Sequence, residues 1–158
     1  KWTLRFTEEA PKVNGTFTLD APQTWETLSQ EAAVTMGTGV YETTFKMGKP
    51  EGQYAIDLCD VRESARVYIN NVFVGCAWSV PYILNFDSSV LKKGKNTLRV
   101  EVTNLPANRI ADLDRKGVEW RKFEEINVVD IKYQKTKYNN WAPVPSGLNS
   151  KVRLYSVE

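Results

Sequence analysis

Two stretches of this chain gather residue types that can hold a ligand. Trp120-Arg121 stands in the first, residues 104–126, and Asn139-Asn140-Trp141 stands in the second, residues 137–150. An indole offers an apolar face and one N–H, while Asn and Arg offer directional hydrogen bonds. That combination suits the CH face and the hydroxyls of a sugar. It equally suits an interface with another domain, where Trp, Tyr and Arg are enriched. Trp120, Arg121, Asn140 and Trp141 therefore carry both readings. Trp78 and Tyr82, on either side of Pro81, form a lesser pair, and Trp78 reads as a loop plug or domain contact before a sugar platform. Asn108-Arg109 reads as a brace that ties its loop down through backbone carbonyls.

Acidic residues invite sharper chemistry. Asp112, Asp114, Glu119, Glu124, Glu125 and Asp130 cluster around the first stretch. Glycoside hydrolysis needs two carboxyls facing each other across a cleft. The neighbouring Arg115, Lys116, Arg121 and Lys122 favour solvated ion pairs instead. The chain contains no histidine, which excludes Ser-His-Asp and Cys-His nucleophiles, His-ligated metals and a histidine pH switch. Lys and Arg total 21 against 19 Asp and Glu, and the densest basic run, Leu91 to Lys95, reads as a turn, so no nucleic-acid stripe is expected. No apolar run approaches the ~20 residues of a membrane span. The chain opens on strand-like alternation with no signal peptide, as a domain cut from something longer, or one already processed, would. Cys59 and Cys76 lack metal-ligand spacing; they read as two half-buried thiols, with a disulfide left open.

The elements that must position these residues are strands. Trp2, Leu4 and Phe6 alternate with Thr3 and Arg5; Tyr41, Phe45 and Met47 with Glu42, Thr44 and Lys46; Ala65, Val67 and Ile69 with Arg66 and Tyr68. Leu98, Val100 and Val102 alternate with Thr97, Arg99 and Glu101, the clearest case. Val129, Ile131 and Tyr133 follow the same pattern, as do Val152 and Leu154. One dry face per strand belongs to antiparallel sheets packed on each other. Turn signals separate them: Asn14-Gly15, Gly37-Thr38-Gly39, Gly48 to Gly52, Asn70-Asn71 and Lys93-Gly94. Helix is scarce, limited to a turn from N-cap Asp87 to terminator Gly94 and a short helix within Ile110 to Lys116. Trp2 and Trp25 read as core. The expected fold is all-β: one antiparallel β-sandwich of jelly-roll type spanning residues 1–158.

Ordered segments carry a family resemblance. They are Tyr41 to Phe45, Ile56 to Val61, Ala65 to Asn71, Val74-Gly75, Trp78, Pro81-Tyr82, Leu91 to Leu98, Val102 to Asn104 and Asn108-Arg109. Together they resemble the sugar-binding-type, galactose-binding-like jelly-roll domain of family 2 glycoside hydrolases, and more closely the terminal β-sandwich of large α-L-rhamnosidase-like enzymes. Three positions depart from that pattern: Cys59 and Asn71 stand where glycine is usual, and Ile110 to Asp114 replaces a Gly-Asp-like turn. Asn71 is tolerable because Asn adopts positive φ readily. The resemblance implies a non-catalytic accessory domain, extracellular or periplasmic, whose partners are an oligo- or polysaccharide and the catalytic domain of its own chain. A purely structural docking domain is the alternative. No cofactor is expected, apart from a structural calcium near Asp112 and Asp114, as such jelly rolls often hold.

Overall fold

The computed structural model describes residues 1–122, 131, 132 and 134–157. Alternation turns into pairing wherever a dry face exists to be buried. Strands β1 (Trp2–Ala10), β2 (Phe17–Leu19), β3 (Met36–Met47), β6 (Ser64–Ile69), β7 (Val72–Ala77) and β9 (Gly94–Thr103) make a six-stranded sheet of order β2-β1-β3-β9-β6-β7. A three-stranded sheet, β11 (Arg153–Val157), β4 (Gln53–Asp57) and β8 (Ile83–Asp87), packs against it in the order β11-β4-β8. A two-residue ladder joins β5 (Val61–Arg62) to β10 (Gly147–Leu148). The described pairings are antiparallel throughout, and the architecture is the expected β-sandwich.

Leu4, Tyr41, Val67, Ile69, Val100 and Val102 from the large sheet meet Ile56 and Phe86 from the small one. Trp25 closes the core, completely buried, edge-on to Phe6 at 4.9 Å. Trp2 is half-buried against the same core. Phe45, Met47, Val152 and Leu154 also pack there, as their alternation required.

Turn chemistry follows the residue types. Ile69 pairs with Val72, so Asn70 and Asn71 make a two-residue hairpin with φ of 50° and 66°. Positive φ at both central positions is the primed turn that matches strand twist, and Asn tolerates it. Asn70 also donates to the carbonyl of Val90 at 2.8 Å and to Oδ1 of the fully buried Asn96 at 2.7 Å. Cys59 has φ 57°, which explains the glycine usual there in the resemblance. A Cβ in this region costs about 1–2 kcal/mol, offset partly by the greater unfolded-state freedom of glycine. Cys59→Gly should therefore raise stability by about 0.5–1 kcal/mol in chemical denaturation. An unchanged or lower midpoint would show that the strain is relieved elsewhere.

Several expectations need correction. Both cysteines are free and exposed, not half-buried, and no disulfide joins them. The turn after Asp87 is a 3-10 helix, Ser88–Val90, with Asp87 accepting from the Ser89 N–H; Gly94 opens β9 instead of ending a helix. Of the expected strand at Val129 to Tyr133, residues 131 and 132 form a turn with Ile131 fully exposed, while Val129 and Tyr133 lie outside the described residues. The unforeseen helix α1 (Gln30–Val34) starts at Ser29, whose hydroxyl accepts from the Ala32 N–H at 3.1 Å.

Candidate functional site

The cluster is built on helix α2 (Ala107–Arg115), which includes the short helix expected and begins three residues earlier. Its end is a Schellman motif: Val118 N–H reaches the carbonyl of Leu113, Gly117 N–H that of Asp114, and Gly117 sits at φ 67°. Asn108, Ala111 and Asp112, at i, i+3 and i+4, form the buried face. Asn108 is the brace. Its amide donates to the Val144 carbonyl and accepts from the Val144 N–H, both at 2.9 Å. One side chain thus clamps the second stretch onto the helix. Asn104 works alongside it, accepting from Gly37 N–H and donating to Thr35 O and Ser146 Oγ.

Asp114 organises the outer layer. One carboxylate oxygen accepts from Trp120 Nε1 and the other from the Tyr138 backbone N–H, each at 2.6 Å. The Arg121 guanidinium lies 4.3 Å over the Trp120 ring and 5.6 Å from that of Tyr138, and it donates to the Thr136 carbonyl. Tyr138 then meets Trp141 edge-on at 4.5 Å, across a turn closed by Trp141 N–H to the Tyr138 carbonyl. The indole of Trp141 is half exposed and shares a small pocket of about 60 Å³ with Val34, Ala111 and Pro143. Beside the cluster runs a groove of about 360 Å³ lined by Asp114, Glu119, Arg121, Lys137 and Asn139 among others. Trp120, Arg121 and Trp141 are therefore brought together through Tyr138 and Asp114, with Asn140 exposed in the turn beside them.

Trp78 and Tyr82 stand elsewhere. Trp78 is 73% exposed in the connection between β7 and β8. Tyr82 is half-buried, and its carbonyl accepts from the Leu58 N–H at 2.9 Å. Tyr82 therefore sits against the β4–β5 connection.

The Asp114 carboxyl is held below the usual carboxylate range, first by the Tyr138 N–H, then by the Trp120 indole, with the charges of Arg121 and Lys137 adding to both. A depressed folded-state pKa contributes stability above the unfolded value and loses it as pH falls through the folded one. Acid titration should accordingly release Trp120, seen as a change in indole fluorescence below the ordinary Asp range. Asp114→Asn should abolish that step and give the acid-like signal at neutral pH. A titration identical in the variant would remove Asp114 from the cluster. Asp112 takes Lys116 Nζ at 2.8 Å and Arg109 Nη1 at 3.2 Å. Both carboxylates near the expected calcium position thus already have protein donors, and among the described residues no group of three or more acidic or thiol side chains is placed to hold a metal. Glu119 accepts from the Arg121 N–H. Glu124, Glu125 and Asp130 lie outside the described residues.

Comparison with known proteins gives a consistent picture. No family model matches the chain. A protein of Formosa agariphila named as a beta-glucuronidase is 28% identical over 154 residues, covering 89% of this chain and 13% of that protein. The rhamnosidase structure from Novosphingobium sp. PP1Y superposes with a TM-score of 0.77 at 24% identity, covering 97% of this chain and 14% of that one. An FMN-binding beta-glucuronidase structure from Facaelibacterium prausnitzii gives 0.57 at 21% identity, covering 98% and 21%. The likenesses show the fold, a β-sandwich that recurs as one part of much larger glycoside hydrolases. The chain spans about one seventh of the first two proteins.

Proposed function

We propose that this chain is a non-catalytic accessory domain of a larger glycoside hydrolase acting outside the cell or in the periplasm, and that it binds glycan through the cluster on α2. The observation that carries this reading is the gathering of Trp120, Arg121 and the Tyr138 backbone on one carboxylate, Asp114, from two separate stretches of chain, with Trp141 edge-on to Tyr138 beside it. Roles divide within the cluster. Trp120 has its N–H on Asp114 and a ring face under Arg121, so it supports; Trp141 and Asn140 present open surface to a sugar. Weak contacts of this kind raise the local substrate concentration beside a tethered catalytic domain. The chain's acidic residues serve structure in this reading: Asp112, Asp114 and Glu119 each hold a donor of the protein itself.

A docking role is favoured by a different observation. Trp78 and Val80 are 73% and 80% exposed in a loop away from α2, as a surface covered by a neighbouring domain would be. A glycan array followed by calorimetry separates the two. Oligosaccharide binding weakened about tenfold or more by Trp141→Ala and untouched by Trp78→Ala supports the first reading. Binding absent for every glycan supports docking. Aryl glycosides should show no turnover with the purified chain, and measurable turnover would overturn the non-catalytic assignment.

A further inference from the structure

The outward face of the six-stranded sheet has a chemistry that its core-facing alternation does not require. Strand register sets Thr3, Glu42, Arg99, Tyr68 and Phe73 side by side across β1, β3, β9, β6 and β7. In the next row Thr44 faces Thr97. Most of this row, with Asn71 at its end, lines a shallow depression of about 400 Å³.

Arg99 is its centre. The guanidinium carbon lies 4.1 Å over the Tyr68 ring, and Nε lies 3.2 Å from Glu101 Oε1. That Nε is buried, yet it makes no hydrogen bond of good geometry. Among the described residues the ion pair of Arg99 is with Glu101, through Nε, and Glu42, directly across the strand pair from Arg99, is in no ion pair. A guanidinium already stacked on a ring loses little further freedom when its planar fork engages a carboxylate. A neighbouring carboxylate outside any ion pair is an acceptor for hydroxyls. Phe73, tilted against Tyr68 at 5.4 Å and 55% exposed, extends the apolar side of the row.

Charge on this face points the same way. The outward charged positions of β3, β6 and β9 are Lys46, Arg66, Lys95 and Arg99 against Glu42 and Glu101, while Arg5 on β1 is offset by Glu8 and Glu9 at that strand's irregular end. Lys46 and Lys95 are direct cross-strand partners, an arrangement that disfavours the sheet through like-charge repulsion. A net positive field over a groove attracts anions. A uronic acid residue offers what the row asks for: one carboxylate, several hydroxyls and an apolar CH face.

We propose that this sheet face is a second glycan site, selective for saccharide chains bearing carboxylates. Arg99 clamps the carboxylate, Glu42, Thr44 and Thr97 take the hydroxyls, and Tyr68 with Phe73 flanks the ring. The site shares no residue with the cluster on α2 and does not depend on it. Tetragalacturonate and the uncharged galactotetraose, titrated into the full chain and followed by calorimetry and NMR, provide the test. Tetragalacturonate should bind about tenfold or more tightly than the neutral chain, and added salt should weaken it. Arg99→Lys, which keeps the charge but loses the fork and the stacking, should lower that affinity about tenfold, with Trp141→Ala without effect. Phe73→Ala, a change at an exposed position that leaves folding intact, should weaken it as well. Equal binding of the two saccharides, undiminished binding in Arg99→Lys and Phe73→Ala, or no saturable binding of tetragalacturonate at about 10 mM would overturn the proposal. Loss of binding in Trp141→Ala alone would instead assign the ligand to the cluster on α2.

Discussion

Gly147→Ala is expected to destabilise this domain by about 3–5 kcal/mol. Two causes act at once. Gly147 has φ 103°, outside the range that L side chains adopt readily, and an added Cβ would overlap both Trp25 Nε1 and the Tyr41 hydroxyl. Neither neighbour can retreat. The Trp25 indole donates to Tyr41 at 2.8 Å, the Tyr41 oxygen accepts from Leu148 N–H at 3.1 Å, and the Trp25 backbone N–H reaches the Ser146 carbonyl at 3.1 Å. Burial pushes the Tyr41 phenol up to about 12, so it remains a neutral member of this network across the working pH range. Chemical denaturation of Gly147→Ala beside Gly48→Ala is the measurement. A Cβ at Gly48 meets nothing within 4 Å, so that control should stay within about 0.5 kcal/mol of the parent chain. Parent-like stability of Gly147→Ala would mean that β10 does not run against Trp25.

Asn108→Asp is the second large effect, and it isolates a single donor. The native amide satisfies both the N–H and the carbonyl of Val144 from a position only 5% exposed. The carboxylate keeps the acceptor but sets a negative oxygen against the Val144 carbonyl. It also approaches Glu26, whose Oε1 lies 3.5 Å from the native amide nitrogen. The expected loss is about 2–4 kcal/mol, and Asn108→Ala should lose about 2 kcal/mol from the two missing bonds. The clamp acts on the segment that carries Tyr138 and Trp141, so the loss should also appear as faster hydrogen exchange at Trp141 and Val144 than in the strands. Unchanged exchange there would detach the brace from the cluster. Proton uptake by the new Asp should lessen its penalty, making Asn108→Asp the only variant of the pair that recovers stability on acidification.

Much of the fold was legible because one physical rule governs it. Strands β1, β3, β6 and β9 each have one dry and one wet face, and period-two alternation reports that directly. Strands β4, β7 and β8 were harder to read. Ala55 and Ile56 in β4 are neighbours yet both buried, and β7 reads Val-Phe-Val-Gly-Cys-Ala with Val72 and Phe73 exposed. Neither pattern contrasts two faces. The brace at Asn108 could be anticipated from its type and loop position, but its partner could not, since Val144 lies 36 residues away and offers only backbone. Trp120 and Trp141 were recognised as neighbours in kind; Tyr138, which joins them, was not, although an aromatic three residues before Trp141 was the available signal. The organising role of Asp114 is the larger gap. An Asp next to Leu113 and Arg115 suggests calcium, catalysis or a surface ion pair, and nothing local says that it takes an indole six residues on and a backbone N–H twenty-four residues on.

The most direct test of glycan binding by the cluster on α2 follows the indole N–H signals of the five tryptophans by NMR while an oligosaccharide selected on the array is added. Trp25, locked to Tyr41 in the core, is the internal reference. A saturable shift of the Trp141 signal is expected, with a smaller one at Trp120, none at Trp25 or Trp78, and loss of saturation in Trp141→Ala. Saturable binding that leaves Trp141 and Trp120 unmoved would contradict binding by this cluster.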